Sequence, residues 1–144
     1  MIIKHSGEFT QKIFLFDLIL NWTLGLALLF FPEVINRLTF KTALFGPMLY
    51  TLLGVLFLLF AFWQTGVHLL KKVFRPFNLA FAAVMAIIPI ILLTQALLSF
   101  NSLIHPLILL LLWLGNTYMF LLTAWYLYAI FLFSYQNRRS KPGR

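Results

Sequence analysis

An uncharged stretch toward the C-terminus most limits how this chain can fold. Residues 76–137 contain no Asp, Glu, Lys or Arg over 62 positions. A single helix of that length would measure about 93 Å, whereas the hydrocarbon core of a bilayer is about 30 Å thick and about 20 residues cross it. The stretch therefore predicts two membrane-spanning helices. The predicted turn between them consists of residues 99–102, three of which are polar, followed by His105 and Pro106.

The composition of the whole chain supports the same conclusion. Hydrophobic residues make up 62% of the 144 residues and charged residues only 10%, whereas soluble domains have roughly 45–50% apolar and about 25% charged residues. These values exclude a soluble globular domain, a disordered chain and a fibrous repeat. The lack of cysteine also excludes disulfide exchange, thiolate metal sites and iron–sulfur ligation.

Charges and prolines divide the chain into four predicted spans within one membrane domain, residues 1–144. A second uncharged window, residues 42–70, contains Gly46 and Pro47, and proline is well tolerated at a first helical position. The sequence thus predicts an all-α polytopic membrane protein, a bundle of four transmembrane helices. The predicted spans are residues 13–31, 47–64, 78–98 and 107–133. Charged and apolar residues alternate after Pro32, which favours a short helix in the membrane interface.

The basic residues predict how the bundle is oriented. With both termini on one side, that side carries nine Lys and Arg residues and the opposite side carries two. Because positive residues favour the cytoplasmic side of a membrane, both termini are expected to face the cytoplasm, with the protein in a bacterial inner membrane. The nine residues are Lys4, Lys12, Lys71, Lys72, Arg75, Arg138, Arg139, Lys141 and Arg144.

Asp17 is the only acidic residue inside a predicted span. Asn21 follows it by four positions, which places both on one helix face. One interpretation is a ligand-binding pocket or proton site with these two residues at its floor. The other interpretation is structural: Asp17 pairs with a basic residue such as Lys72 or Arg75 and stabilises the bundle. Tyr128 on the fourth span is at a similar depth and could donate a hydrogen bond to Asp17.

Neutral polar and small residues occur in the other spans. Asn116 on the fourth span either makes a hydrogen bond between helices, as such residues commonly do, or lines the pocket beside Asp17. Gly54 and Gly115 are predicted sites of close approach, because glycine lets helix backbones come together. No metal site and no other cofactor is predicted, because the sequence contains no metal-binding motif and no glycine-rich phosphate loop.

Lys71, Lys72 and Arg75 lie in the predicted connection between the second and third spans. These side chains, next to apolar residues such as Leu69 and Leu70, could hold the headgroups of anionic lipids. The alternative is that they only determine the topology. A soluble protein with a net charge of +8 would suggest nucleic acid, but no nucleic-acid motif accompanies the charge here. Membrane lipids are therefore a predicted partner, and nucleic acid is not.

A series of short motifs is spread over most of the chain. The motifs are Leu15-Phe16-Asp17 with Asn21, Gly25, Phe31-Pro32, Gly46-Pro47, Leu53-Gly54 and Arg75-Pro76-Phe77-Asn78. In this arrangement the chain resembles small bacterial four-helix integral membrane proteins that are broadly DoxX-like. The resemblance implies a four-helix bundle and assigns no catalytic residue.

Three functions are compatible with these features. The first is a non-catalytic membrane subunit or scaffold, whose apolar and aromatic surface contacts a membrane-protein partner or a second copy of the chain. The second is a lipid- or small-molecule-binding protein or carrier, with Asp17, Asn21, Asn116 and Tyr128 around its ligand. The third, a lipid-modifying enzyme, has the least support, because the spans contain no pair of acids and no Ser-His-Asp set. The sequence favours the first.

Overall fold

The described part of the chain folds into five α-helices, four of them long. The computed structural model describes the backbone of residues 2–40 and 46–139 and the side chains of residues 7–40 and 46–135. The helices are α1 (Ile2–Phe30), α2 (Pro32–Thr39), α3 (Pro47–Leu69), α4 (Pro76–Phe100) and α5 (Pro106–Arg139), and a 3-10 helix (Asn101–Leu103) follows α4.

Four segments of the described chain are long and apolar enough to cross a membrane. They are Gly7–Phe30, Pro47–Leu69, Pro76–Leu103 and Pro106–Tyr135. The predicted all-α fold, a bundle of four transmembrane helices, is confirmed. The chain is therefore an integral membrane protein.

Four of the five described helices begin with proline: α2 at Pro32, α3 at Pro47, α4 at Pro76 and α5 at Pro106. The first turn of a helix leaves its N–H groups unbonded and the fixed φ of proline suits helical backbone, so proline is favoured there. For this reason the predicted starts of the last three spans lie within two residues of the observed ones. The far ends differ more: α3 continues to Leu69 rather than ending at residue 64, because the intervening residues carry no proline and no charged side chain other than a histidine.

The helices pack as two pairs, α1 with α3 and α4 with α5. In the first pair, a Cβ atom on Gly54 would lie 2.8 Å from the backbone nitrogen of Leu29 and 3.0 Å from the carbonyl oxygen of Gly25. Only glycine permits this approach of two backbones, so the prediction for Gly54 is confirmed. The prediction for Gly115 is wrong, because a Cβ atom there would meet nothing within 4 Å.

Large side chains join the two helix pairs in a first apolar cluster. It includes Phe14 of α1, Phe60 of α3, Leu79 of α4 and Tyr126 of α5, all of them buried. Val73 belongs to the same cluster and lies in the connection from α3 to α4. We call this connection, residues 70–75, the basic turn, and the end of the bundle that carries it the basic end.

A second apolar cluster lies at the opposite end, which we call the α2 end. Its buried members are Phe40, Tyr50, Leu97 and Ile104. Phe40 and Ile104 also pair through their backbones as an isolated antiparallel bridge. The chain that leaves α2 is thereby joined to the connection between α4 and α5.

Helix α2 contributes two further contacts at this end. The hydroxyl of Tyr50 donates a hydrogen bond of 3.1 Å to Asn36 Oδ1. The backbone N–H of His105 donates to the carbonyl oxygen of Thr39 at 3.2 Å. The short helix predicted after the first span is confirmed at Pro32–Thr39, and its position in the membrane interface stays a prediction. Residues 41–45 lie outside the described part of the chain.

Candidate functional site: the polar cluster around Asp17

Asp17 and Asn21 lie one turn apart on α1 and point into the bundle. Each residue is only 2% exposed, and the side-chain amide of Asn21 donates a hydrogen bond of 3.1 Å to Asp17 Oδ1. The spacing of four residues brings the two groups together, because such residues are neighbours on a helix surface. Helix α1 therefore presents a carboxylate and an amide as one unit to the helices packed against it.

Helix α3 adds Gln64, whose side chain is completely buried. Gln64 Nε2 donates to Asp17 Oδ2 at 2.7 Å. In return, Gln64 Oε1 accepts a hydrogen bond of 3.0 Å from Asn21 Nδ2. Three side chains thus form a closed ring of hydrogen bonds across the α1–α3 contact, and Gln64 lies about three turns along α3 from the close approach at Gly54.

Helix α5 completes the cluster with Tyr126, which is also fully buried. Its hydroxyl donates a hydrogen bond of 3.0 Å to Asp17 Oδ2. The tyrosine ring packs edge-on against Phe14, with 6.3 Å between ring centroids. One carboxylate therefore connects α1 to α3 and to α5. We call Asp17, Asn21, Gln64 and Tyr126 the Asp17 cluster.

The Asp17 cluster satisfies its carboxylate without a basic residue. Asp17 accepts three hydrogen bonds from neutral donors, one on Oδ1 and two on Oδ2. A polar group buried in apolar surroundings needs such partners. Within the described residues Asp17 makes no salt bridge, so the expected pairing with Lys72 or Arg75 is wrong. The stabilising role proposed for Asp17 remains, with amide and phenol groups as its partners.

Tyr128 lies outside the Asp17 cluster. It is 51% exposed, and its ring contacts Trp125, with 5.6 Å between centroids. The phenol that reaches Asp17 belongs to Tyr126, so the expectation for Tyr128 is wrong. The two tyrosines are two positions apart, and residues at that spacing point to different sides of a helix.

Sequence reasoning missed Gln64 and Tyr126. A signal for Gln64 was present: it follows Gly54 and Ala61 at helical spacing, and these small residues mark the face of α3 that approaches another helix. For Tyr126 no such signal exists. Helix α5 is apolar around most of its circumference, so the sequence pattern does not reveal which face is buried.

Asn116 lies apart from the Asp17 cluster, on the face of α5 that meets α4. Its side-chain amide donates a hydrogen bond of 2.9 Å to Thr94 Oγ1, so the predicted hydrogen bond between helices is confirmed. Asn116 Oδ1 is buried and has no partner in the described part of the chain. The buried hydroxyl of Tyr118 likewise has none.

Gln95 of α4 faces away from the bundle. It is exposed, and its amide makes no hydrogen bond within the described residues. It lies in a shallow groove of about 470 Å³ together with Ile91, Leu98 and Ser99. Ile91 and Leu98 are 59% and 72% exposed. An amide with no partner in the described part of the chain therefore lies in a mostly apolar groove.

The basic turn brings the three predicted headgroup-binding residues to one end of the bundle. Lys71 and Arg75 are exposed, and Lys72 is partly buried. The apolar residues that flank the turn, Leu69, Leu70 and Phe77, are 73%, 62% and 74% exposed. The turn is separate from the Asp17 cluster.

No family model, no curated protein and no solved structure matches this chain. The resemblance to DoxX-like proteins stays a prediction.

Proposed function

We propose that this protein is a non-catalytic subunit or scaffold of a membrane complex. The supporting observation is that the Asp17 cluster is closed: its four side chains are at most 2% exposed, and every oxygen of the carboxylate has a donor from the chain itself. A ligand or a transported proton would need access to this carboxylate. The cluster therefore supports the fold and leaves the outer surface of the bundle to carry the function.

The groove around Gln95 is the part of that surface best suited to a partner. An amide facing hydrocarbon lacks hydrogen-bond partners, and side chains of this kind commonly bond across to another transmembrane helix. The surrounding residues Ile91 and Leu98 would pack against that helix. The proposed partner is another membrane protein or a second copy of this chain.

The orientation is part of this proposal. We propose that both termini face the cytoplasm and that the protein lies in a bacterial inner membrane, which the excess of nine basic residues over two supports. Reporter tags at the two termini test it, because an even number of crossings requires both tags to be protected on the same side. Tags on opposite sides would contradict the proposal.

The test of the proposed assembly is a matched pair of glutamine variants. The tagged chain is extracted in mild detergent and its particle mass is compared with that of Gln95→Ala and of Gln11→Ala, which removes an exposed amide from α1. We expect the wild type and Gln11→Ala to migrate as a stable complex and Gln95→Ala to lose the partner. A wild type that purifies only as a monomer would contradict the proposal.

The second candidate is a lipid- or small-molecule-binding protein or carrier. The buried, partnerless atoms Asn116 Oδ1 and Tyr118 Oη favour it, because a polar ligand could satisfy them. It ranks second because these residues are two positions apart and point to different sides of α5. An Asp17→Asn variant that loses binding or transport while keeping its thermal stability would mean that Asp17 belongs to the ligand site. A lipid-modifying enzyme ranks third.

A further inference from the structure

The backbone of the basic turn has a lysine where helix ends favour glycine. At the end of α3 the N–H of Lys71 donates to the carbonyl oxygen of His68, and the N–H of Lys72 donates to that of Val67, both at 3.0 Å. This pair of bonds is the Schellman motif, whose central residue adopts a left-handed conformation. Lys71 has φ of 53°, the one positive φ outside glycine among the described residues.

A lysine in this conformation destabilises the turn relative to glycine. The Cβ atom of an L-residue crowds the following carbonyl oxygen in the left-handed region, whereas glycine has no Cβ atom. The turn itself gains nothing from the lysine side chain, since that chain is exposed and makes no ion pair in the described part of the protein. Residues held in such conformations are often found at functional sites.

The basic turn is fixed in place rather than loosely connected. Val73 is 2% exposed and belongs to the first apolar cluster. The ring of Phe74 contacts that of Phe133 on α5, with 4.8 Å between centroids. The amide of Asn78 donates a hydrogen bond of 2.8 Å to the carbonyl oxygen of Lys72. The charged residues on either side of Val73 therefore project from a defined backbone.

The charge on the turn is not neutralised by an acidic side chain in the described part of the protein. The chain has only three acidic residues. Asp17 is enclosed by its own cluster, Glu33 lies on α2 at the opposite end, and Glu8 makes no salt bridge in the described part of the chain. Lys71 and Arg75 thus face the surroundings, with the partly buried Lys72 beside them. They lie next to exposed Leu69, Leu70 and Phe77.

We propose that the basic turn is a binding site for the phosphate group of an anionic phospholipid. The arginine can bind a phosphate through two parallel N–H groups, and the lysines add charge. The exposed apolar side chains point to a lipid rather than a soluble phosphate, because they would contact acyl chains just below the headgroup. The proposal needs only the membrane fold and not the subunit role.

Substitutions of Lys71 test the proposal, because one change should raise the stability of the protein and lower its lipid binding. Lys71→Gly should raise the melting temperature, because glycine accepts the left-handed backbone. The same change should lower the retention of phosphatidylglycerol about fivefold, the factor for one basic residue near an anionic surface. The measurement is native mass spectrometry of the purified chain from nanodiscs of phosphatidylglycerol and phosphatidylcholine.

Three control variants distinguish a specific lipid-binding site from a general attraction of anionic lipid to the positive charge of the protein. Lys71→Asn removes the charge but also tolerates the left-handed backbone, so it should lose the lipid as Lys71→Gly does. Lys71→Arg should keep it. Lys12→Gln removes an exposed positive charge from α1 and should leave retention unchanged.

The outcomes that would overturn the proposal are specific. Equal phosphatidylglycerol retention in the wild type and Lys71→Gly would mean that the lysine contributes nothing to lipid binding. An equal loss in Lys12→Gln would mean that only the overall charge matters. Displacement of the lipid by inorganic phosphate at similar concentration would mean that the turn binds phosphate itself. Because the readout is lipid on the isolated chain, it is independent of whether a protein partner is found.

Discussion

Two groups of buried polar side chains are satisfied to different degrees. The carboxylate of Asp17 has three donors drawn from three helices. Two to three turns before Tyr126 along α5, Asn116 has one hydrogen bond and an orphaned oxygen, and the hydroxyl of Tyr118 has no partner in the described part of the chain. Burying a carboxylate in apolar surroundings costs far more than burying an amide or a phenol. The donors are therefore gathered where the charge lies, and the neutral groups are left partly unsatisfied.

The largest effect on stability is expected from a substitution of Gln64, which donates a hydrogen bond to Asp17. Gln64→Leu removes a donor from Asp17 and an acceptor from Asn21, and we expect a loss of about 2–3 kcal/mol in the free energy of unfolding. The measurement is reversible unfolding of the chain in mixed micelles. Gln11→Leu, an exposed control on α1, should change it by less than about 0.5 kcal/mol. Equal effects of the two variants would remove the distinction between the Asp17 cluster and the surface.

A pair of tyrosine variants compares a satisfied hydroxyl with an unsatisfied one. Tyr126→Phe removes a hydrogen bond to the carboxylate and should destabilise the protein by about 1.5 kcal/mol. Tyr118→Phe removes a hydroxyl that has no partner, so it should leave the stability unchanged or raise it slightly. Both are read as shifts in melting temperature under one set of conditions. A larger loss in Tyr118→Phe would show that its hydroxyl is bonded in the membrane, to water or to a ligand.

The smallest effect is expected at Asn116. Asn116→Leu removes the hydrogen bond to Thr94 and, with it, the orphaned oxygen. A hydrogen bond between membrane helices contributes about 0.6 kcal/mol on average, and the loss of the unsatisfied atom offsets part of it. We expect a net change below about 0.6 kcal/mol in the same unfolding assay. A loss above about 2 kcal/mol would mean that Asn116 contributes as much as Gln64 to the free energy of unfolding.

Much of the fold could be predicted because charged residues and prolines limit where helices begin and where the chain can cross a membrane. Uncharged runs too long for one crossing require two helices, and proline begins four of the five helices. The short helix at α2 followed from its alternating polar and apolar residues. The end of α3 was predicted five residues too early, because a helix can continue beyond the last residue of its apolar run.

Much less of the candidate site could be predicted, because it depends on how helices are rotated. The contact between Asp17 and Asn21 follows from their spacing, but Gln64 and Tyr126 are 47 and 109 positions away from Asp17. Helices that are apolar on all sides carry little information about which face is buried. The same limit explains why Gly115, a residue of the kind found at helix contacts, faces open space.

The bridge between Phe40 and Ile104 gives the two helix pairs a second connection. At the α2 end it joins the chain between α1 and α3 to the chain between α4 and α5. At the basic end the pairs are connected covalently through residues 70–75, and the hydroxyl of Tyr126 bonds to Asp17 between the two ends. The pairs are therefore held at both ends of the bundle, so a change in their relative position requires the bridge or the hydrogen bond from Tyr126 to Asp17 to break.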